Sequence, residues 1–203
     1  MKWIDSLLKK SPVDRVNVLA DQMSKNSEEM RMWKNIPLAG ECLTLLQGMS
    51  DEDAKPLGRA FACDAIIRQL PEYDVPRLVL RILRYQLEQL RLSDEQDPDG
   101  YVTEDDVQAS IGRLEDYIDT EHISAEAFNE KHRRYMKLDP IQRTAAWEEN
   151  YYEVEKECDR RLGNTPRGMG FCHAYWHELS EVLAERGIEW RSPAQMNPRA
   201  RFD

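Results

Sequence analysis

Apolar residues return every third or fourth position along almost the whole chain, which is the spacing of one face of an α-helix. Ser11-Pro12 puts a capping residue ahead of a first-turn proline, and Val13, Val16, Leu19, Ala20 and Met23 then keep helical spacing. A second helix opens at Ser27-Glu28-Glu29-Met30 and runs toward Gln47. Pro37 must kink or split it, because proline lacks a backbone donor and its ring clashes one turn back. Ser50-Asp51-Glu52-Asp53 reads as the capping box of a third helix, ending near Leu70 before Pro71. The fourth is the most regular. Val75, Leu78, Val79, Ile82, Leu83, Leu87 and Leu90 make one stripe, widened by Leu80, Tyr85 and Leu92, so this helix is expected at the centre of a core. Its Arg77, Arg81, Arg84 and Arg91 are expected to pair with nearby carboxylates, as charged helix faces do.

The segment 93–102 breaks the pattern, with acidic residues, Pro98 and Gly100, which is turn chemistry. Thr103-Glu104-Asp105-Asp106 caps a helix carrying Val107, Ile111, Leu114 and Ile118, and a further helix is expected from Ser124 to Leu138. Asp139-Pro140 starts a long helix with Trp147, Tyr151, Val154, Cys158 and Leu162 on one side, stopped by the glycines of 163–170. The last helix runs from about Phe171 to Arg186, with Gly187 as its cap and Ile188 as the apolar contact of a Schellman end. The tail from Glu189 has two prolines and should be irregular, with Trp190, Met196 and Phe202 folding it back onto the body. The expected fold is therefore an all-α bundle or array of about seven or eight helices. Residues 1–92 form one helical layer and 103–203 a second, divided at 93–102, and the two layers can share one core.

Composition agrees. Of 203 residues, 41% are apolar and 33% charged, with a net charge of −10. Long unbranched side chains that lose little freedom in a helix dominate. A balance this acidic repels phosphate backbones and excludes a broad nucleic-acid role unless a local basic face exists. Cys42, Cys63, Cys158 and Cys172 are scattered and form no C-x-x-C pair, so reduced thiols and a cytoplasmic setting are expected. The apolar stretch after Met1 is short and interrupted by Asp5, unlike a signal peptide, and no run approaches the ~20 apolar residues of a membrane span.

Two segments carry candidate chemistry. Residues 95–106 (EQDPDGYVTEDD) resemble an EF-hand calcium loop, with Gly100 in the sixth position. The resemblance implies ligands from Glu95, Asp97, Asp99, the Tyr101 carbonyl and Asp106, with Val102 as the apolar eighth residue. A hard cation such as Ca²⁺ or Mg²⁺ takes about six to eight oxygens. The loop departs from that pattern with Glu95 for the first Asp and Asp106 for the bidentate Glu, and the chain has no second such loop. The plainer reading is an acidic turn capped by Thr103. The second segment places His173 and His177 one turn apart, with Glu181 extending the ridge. Stacked histidines can share a transition metal. They would need further ligands, such as Glu149, Glu153 or Glu157, and the plainer reading is an exposed ridge.

Other features point less far. The loop Thr165-Pro166-Arg167-Gly168-Met169-Gly170 could present amides to an anion, but it matches no phosphate-binding motif and reads as a connector. There is no G-x-S-x-G elbow. Cys172 and His173 are neighbours on a helix and do not face each other. The aromatic residues Tyr135, Trp147, Tyr151, Tyr152, Phe171, Tyr175, Trp176, Trp190 and Phe202 gather in the last third, where packing into a core is the favoured role over a partner surface. The best-supported function is a helical interaction or regulatory protein without catalysis or a cofactor, binding another protein or itself. The alternative is a metal-binding protein using one of the two segments above.

Overall fold

The computed structural model describes residues 11–94, 97 and 100–202. The N-terminal readings at Met1 to Lys10, and those on Glu95 and Asp99, lie outside the described residues. Among the described residues the chain is helical throughout, with no strand. The α-helices are α1 (Pro12–Glu28), α2 (Asn35–Gln47), α3 (Pro56–Ile67), α4 (Pro76–Leu92), α5 (Glu104–Ile118), α6 (Ala125–Lys131), α7 (Ala145–Leu162), α8 (Phe171–Ala184) and the single turn α9 (Pro193–Met196). Short 3-10 turns precede α2 and α7. No described helix is long and apolar enough to cross a membrane.

Proline and small polar residues set the helix starts. Ser11 caps α1 by accepting from the Asp14 N–H at 3.1 Å, and α1, α3 and α4 each open on a proline, where its missing donor costs nothing. Thr103 and Ser124 cap α5 and α6. The end of α8 is the expected Schellman motif: Ile188 N–H donates to Leu183 O at 3.0 Å and Gly187 N–H to Ala184 O at 2.9 Å. Gly187 sits at φ +73°, a region open to glycine without a Cβ clash.

Several boundaries differ from expectation, each for a local reason. Ser27 does not open a helix. Its hydroxyl turns back to Met23 O, α1 ends at Glu28, and Met30 reverses the chain at φ +58°. Pro37 neither kinks nor splits α2, because it lies in the first turn, where backbone donors have no helical partner. Asp53 accepts from the Ser50 N–H and hydroxyl, making a turn, and α3 waits for Pro56. The helix expected over 124–138 stops at Lys131, where Arg133 takes φ +53°. The helix expected from Asp139 is divided. Asp139 caps only the 3-10 turn Pro140–Arg143, and Thr144 caps α7 separately.

The chain packs as two compact units, Met1–Leu114 and Glu115–Asp203, and the division falls inside α5. In the first unit, α3 and α4 pack along each other and α1 packs on α2. Val79, Ile82, Leu83 and Leu87 of α4 are buried with Leu43, Leu46, Ala60 and Ile66, as the stripe on α4 predicts. Three polar side chains hold this core together. Asn35, fully buried, donates to Met23 O and Gln69 O and accepts from Asn26. Arg59 reaches Gln89, Met49 O and Asp51. Gln86 donates to Ala60 O. Burying such groups is tolerable only because each is hydrogen-bonded.

In the second unit, α7 packs along α8 around Trp147, Val154, Cys158, Leu179, Val182 and Leu183, closed by Ile188 and Trp190. The Trp190 ring lies 6.1 Å from that of Trp147, and Phe202 meets Trp176 edge-on at 5.0 Å. These contacts fold the tail back as its aromatic residues imply. In the same unit, Arg143 is buried with its guanidinium on Tyr117 O, Asp116 O and Asp119 O at 2.7, 3.0 and 3.2 Å. It therefore closes the C-terminal end of α5, where carbonyls lack helical donors.

Candidate functional site

The acidic turn is organised by its own backbone. The Asp97 carboxylate accepts the Val102 N–H at 2.9 Å, and the Asp97 carbonyl accepts from Gly100, which sits at φ +66°. Asp106 receives the Thr103 hydroxyl at 2.7 Å, while its N–H donates back to that hydroxyl at 3.2 Å. The two described candidate ligand carboxylates, Asp97 and Asp106, are thus engaged in turn and cap bonds. Tyr101 is exposed and Val102 buried. A cleft of about 440 Å³ lies against the turn, lined by Asp97, Glu104, Asp105, Leu57 and Leu90. Replacing Asp97 by Ala is expected to lower stability by about 1 kcal/mol through the lost Val102 bond, with Asp97→Asn losing less because it keeps an acceptor. Thermal unfolding of the two variants measures the difference.

His173, His177 and Glu181 all stand exposed on α8, and the His173 ring meets Trp176 edge-on at 5.5 Å. Two of the three acids of α7 that could complete a site, Glu153 and Glu157, are held on their own helix. Glu153 pairs with Lys156 at 3.3 Å, and Glu157 with Arg160 at 2.6 Å and Arg161 at 2.8 Å. Hydrogen bonds from Arg160 and then Arg161 hold the Glu157 carboxyl down to about 2. Among the described residues, no three His, Cys, Asp or Glu side chains gather in a way that could hold a metal ion. Arg167 of the glycine loop pairs with Asp159 and lies 5.2 Å over the Phe171 ring.

The thiols offer no obvious nucleophile among the buried three. Burial pushes Cys42, Cys63 and Cys158 up to about 12, helped by Glu41 beside Cys42, by Cys42 beside Cys63 and by Glu155 beside Cys158. At that value the thiolate is scarce near neutral pH.

A different site forms where two distant segments meet. Lys137 N–H donates to the Asn197 side-chain oxygen at 2.8 Å, and the Asn197 amide donates to Lys137 O at 2.9 Å. Next to this clasp, buried Asp139 holds the Arg191 N–H at 3.0 Å and its side chain at 2.9 Å. The clasp shapes a groove of about 490 Å³ lined by Tyr135, Met136, Lys137, Met196, Pro198 and Arg199. Tyr135 is 97% exposed and Met136 37%. The expectation that Tyr135 packs into an aromatic core is therefore overturned: α6 stops short of it, and the turn at Arg133 carries it outward. The sequence does hold one signal of this site. Residues 131–138 and 190–202 contain seven of the 28 Lys and Arg and none of the 38 Asp and Glu.

Comparison with protein-family models, curated proteins and solved structures finds no match to this chain.

Proposed function

We propose that the chain works by binding another protein, and that the Tyr135–Met196 groove of its second unit is the contact surface. The observation that carries this reading is Tyr135, whose ring stands almost wholly in solvent on a segment clasped two residues away by Asn197. A large aromatic side chain on a braced backbone loses little freedom when a partner covers it. Tyrosine, methionine and arginine are the residue types enriched in protein contacts. Met136 and Met196 add pliable apolar surface beside it.

A tagged full-length chain is expected to retain a discrete protein at constant stoichiometry through purification. The triple variant Tyr135→Ala, Met136→Ala, Met196→Ala should release it with an unchanged melting temperature. Sedimentation of the pure chain separates a second copy from a different partner. Undiminished retention by the triple variant contradicts the groove as the contact surface.

A further inference from the structure

From the charge around the groove, and resting on the interaction reading above, we infer that the partner presents a short acidic segment, its carboxylates meeting Arg133, Lys137, Arg199 and Arg201 while an apolar side chain enters beside Tyr135. Arg133, Lys137, Arg199 and Arg201 are all exposed and make no ion pair with any described residue. Other cations of the same two segments are engaged. Lys131 and His132 both lie 2.7 Å from Asp116, and Arg191 holds Asp139. Asp139, two residues after Lys137, is buried and occupied by Ile141 and Arg191, while Glu130, three residues before Arg133, is exposed. Lys137 and Arg199 line the groove, and Arg133 and Arg201 lie within two residues of its lining, on a chain whose net charge is −10.

Charge segregation of this kind selects the ligand. Arg guanidinium groups present forked donors that match a carboxylate, and complementary charge raises the encounter rate and excludes wrong partners. A long polyanion fits less well. It carries a charge about every 1.7 Å along a duplex, and beyond the patch it would meet a chain whose 38 acidic residues all lie outside these two stretches. An acidic peptide segment confines its charge to the groove, whose volume of about 490 Å³ holds only a few side chains. The Met136 and Met196 walls then favour a segment that alternates Asp or Glu with an apolar residue.

The test uses the full chain and a fluorescein-labelled eight-residue peptide alternating Glu with Leu, followed by fluorescence anisotropy. Its controls are the same peptide with Gln for Glu, a single-stranded oligonucleotide and vesicles containing phosphatidylserine. The acidic peptide is expected to bind saturably, about tenfold more weakly for Lys137→Gln with Arg199→Gln, and to weaken as salt rises. The Gln peptide, the oligonucleotide and the vesicles should bind no better than to the double variant. Equal binding of the Gln peptide, undiminished binding by the double variant, or preference for the oligonucleotide or vesicles overturns the acidic-segment proposal. If any of these occurs while the Tyr135, Met136 and Met196 variant still loses its protein partner, only the partner's chemistry is wrong. If that variant also keeps its partner, the groove itself is wrong.

Discussion

Replacing Arg143 by Met is expected to destabilise the second unit by about 3 kcal/mol. The residue is 2% exposed, and its guanidinium serves three carbonyls at the end of α5. It also lies 5.5 Å from the Phe128 ring and 5.8 Å from that of Tyr117, themselves edge-to-face at 5.2 Å. Methionine fills much of the space but donates no hydrogen bond, so the Asp116 and Tyr117 carbonyls lose the Arg143 donor while Asp119 O keeps the Ile123 N–H at 3.2 Å. Each buried acceptor left unmade costs about 1–3 kcal/mol, and relief of the desolvation of a buried cation offsets part of the sum. The favourable position of a cation at a helix C-terminus is lost as well. Burial already pulls the Arg143 pKa below its ordinary value, the sign of a charge held away from water by its partners. Lysine keeps the charge without the fork and should recover less than half. Urea unfolding followed by tryptophan fluorescence reads both variants, and a Met variant with the wild-type midpoint would show that the carbonyls find other donors.

The second large loss is expected at Asn35 in the first unit, about 2–3 kcal/mol for Asn35→Leu. Its amide joins α1 to the residues following α3, through Met23 O at 3.1 Å and Gln69 O at 2.8 Å, while its oxygen takes the Asn26 amide at 2.9 Å. Gln22 continues the chain onto Asn26 at 3.1 Å. Leucine is close in size, so the loss reports the broken network rather than a cavity. A double-mutant cycle with Asn26→Ala checks the source: coupling of about 1 kcal/mol is expected for groups sharing one network, and simple additivity would remove Asn26 from it.

How much of this was legible in the sequence depends on whether the signal is local. The stripe on α4 and the caps at Ser11, Thr103, Ser124 and Gly187 act within a few residues, and each sits where its spacing says. Two of the misplaced boundaries are set by non-glycine residues at positive φ, Met30 and Arg133, which no periodicity announces, and two more arise where a capping residue, Ser50 or Asp139, closes only a short turn. The buried polar side chains Asn35, Arg59, Gln86 and Arg143 break an apolar pattern and acquire their meaning only from partners far along the chain. The groove belongs to the same class. Its clasp joins Lys137 to Asn197 across 60 positions, and Tyr135 reads as core in the sequence because it falls among the aromatic residues gathered in the last third of the chain. What the sequence did carry was charge: two acid-free stretches in a chain of net −10, whose proximity required the fold.

The central claim is that the face around Tyr135 is covered by a protein partner in the cell. Site-specific incorporation of a photoreactive benzoylphenylalanine tests it directly, at position 135 and, for comparison, at Glu153 on the exposed side of α7. Irradiation in living cells is predicted to give a protein adduct of discrete mass from position 135 and none of that mass from position 153. No adduct at 135, or the same adducts from both positions, would contradict the account.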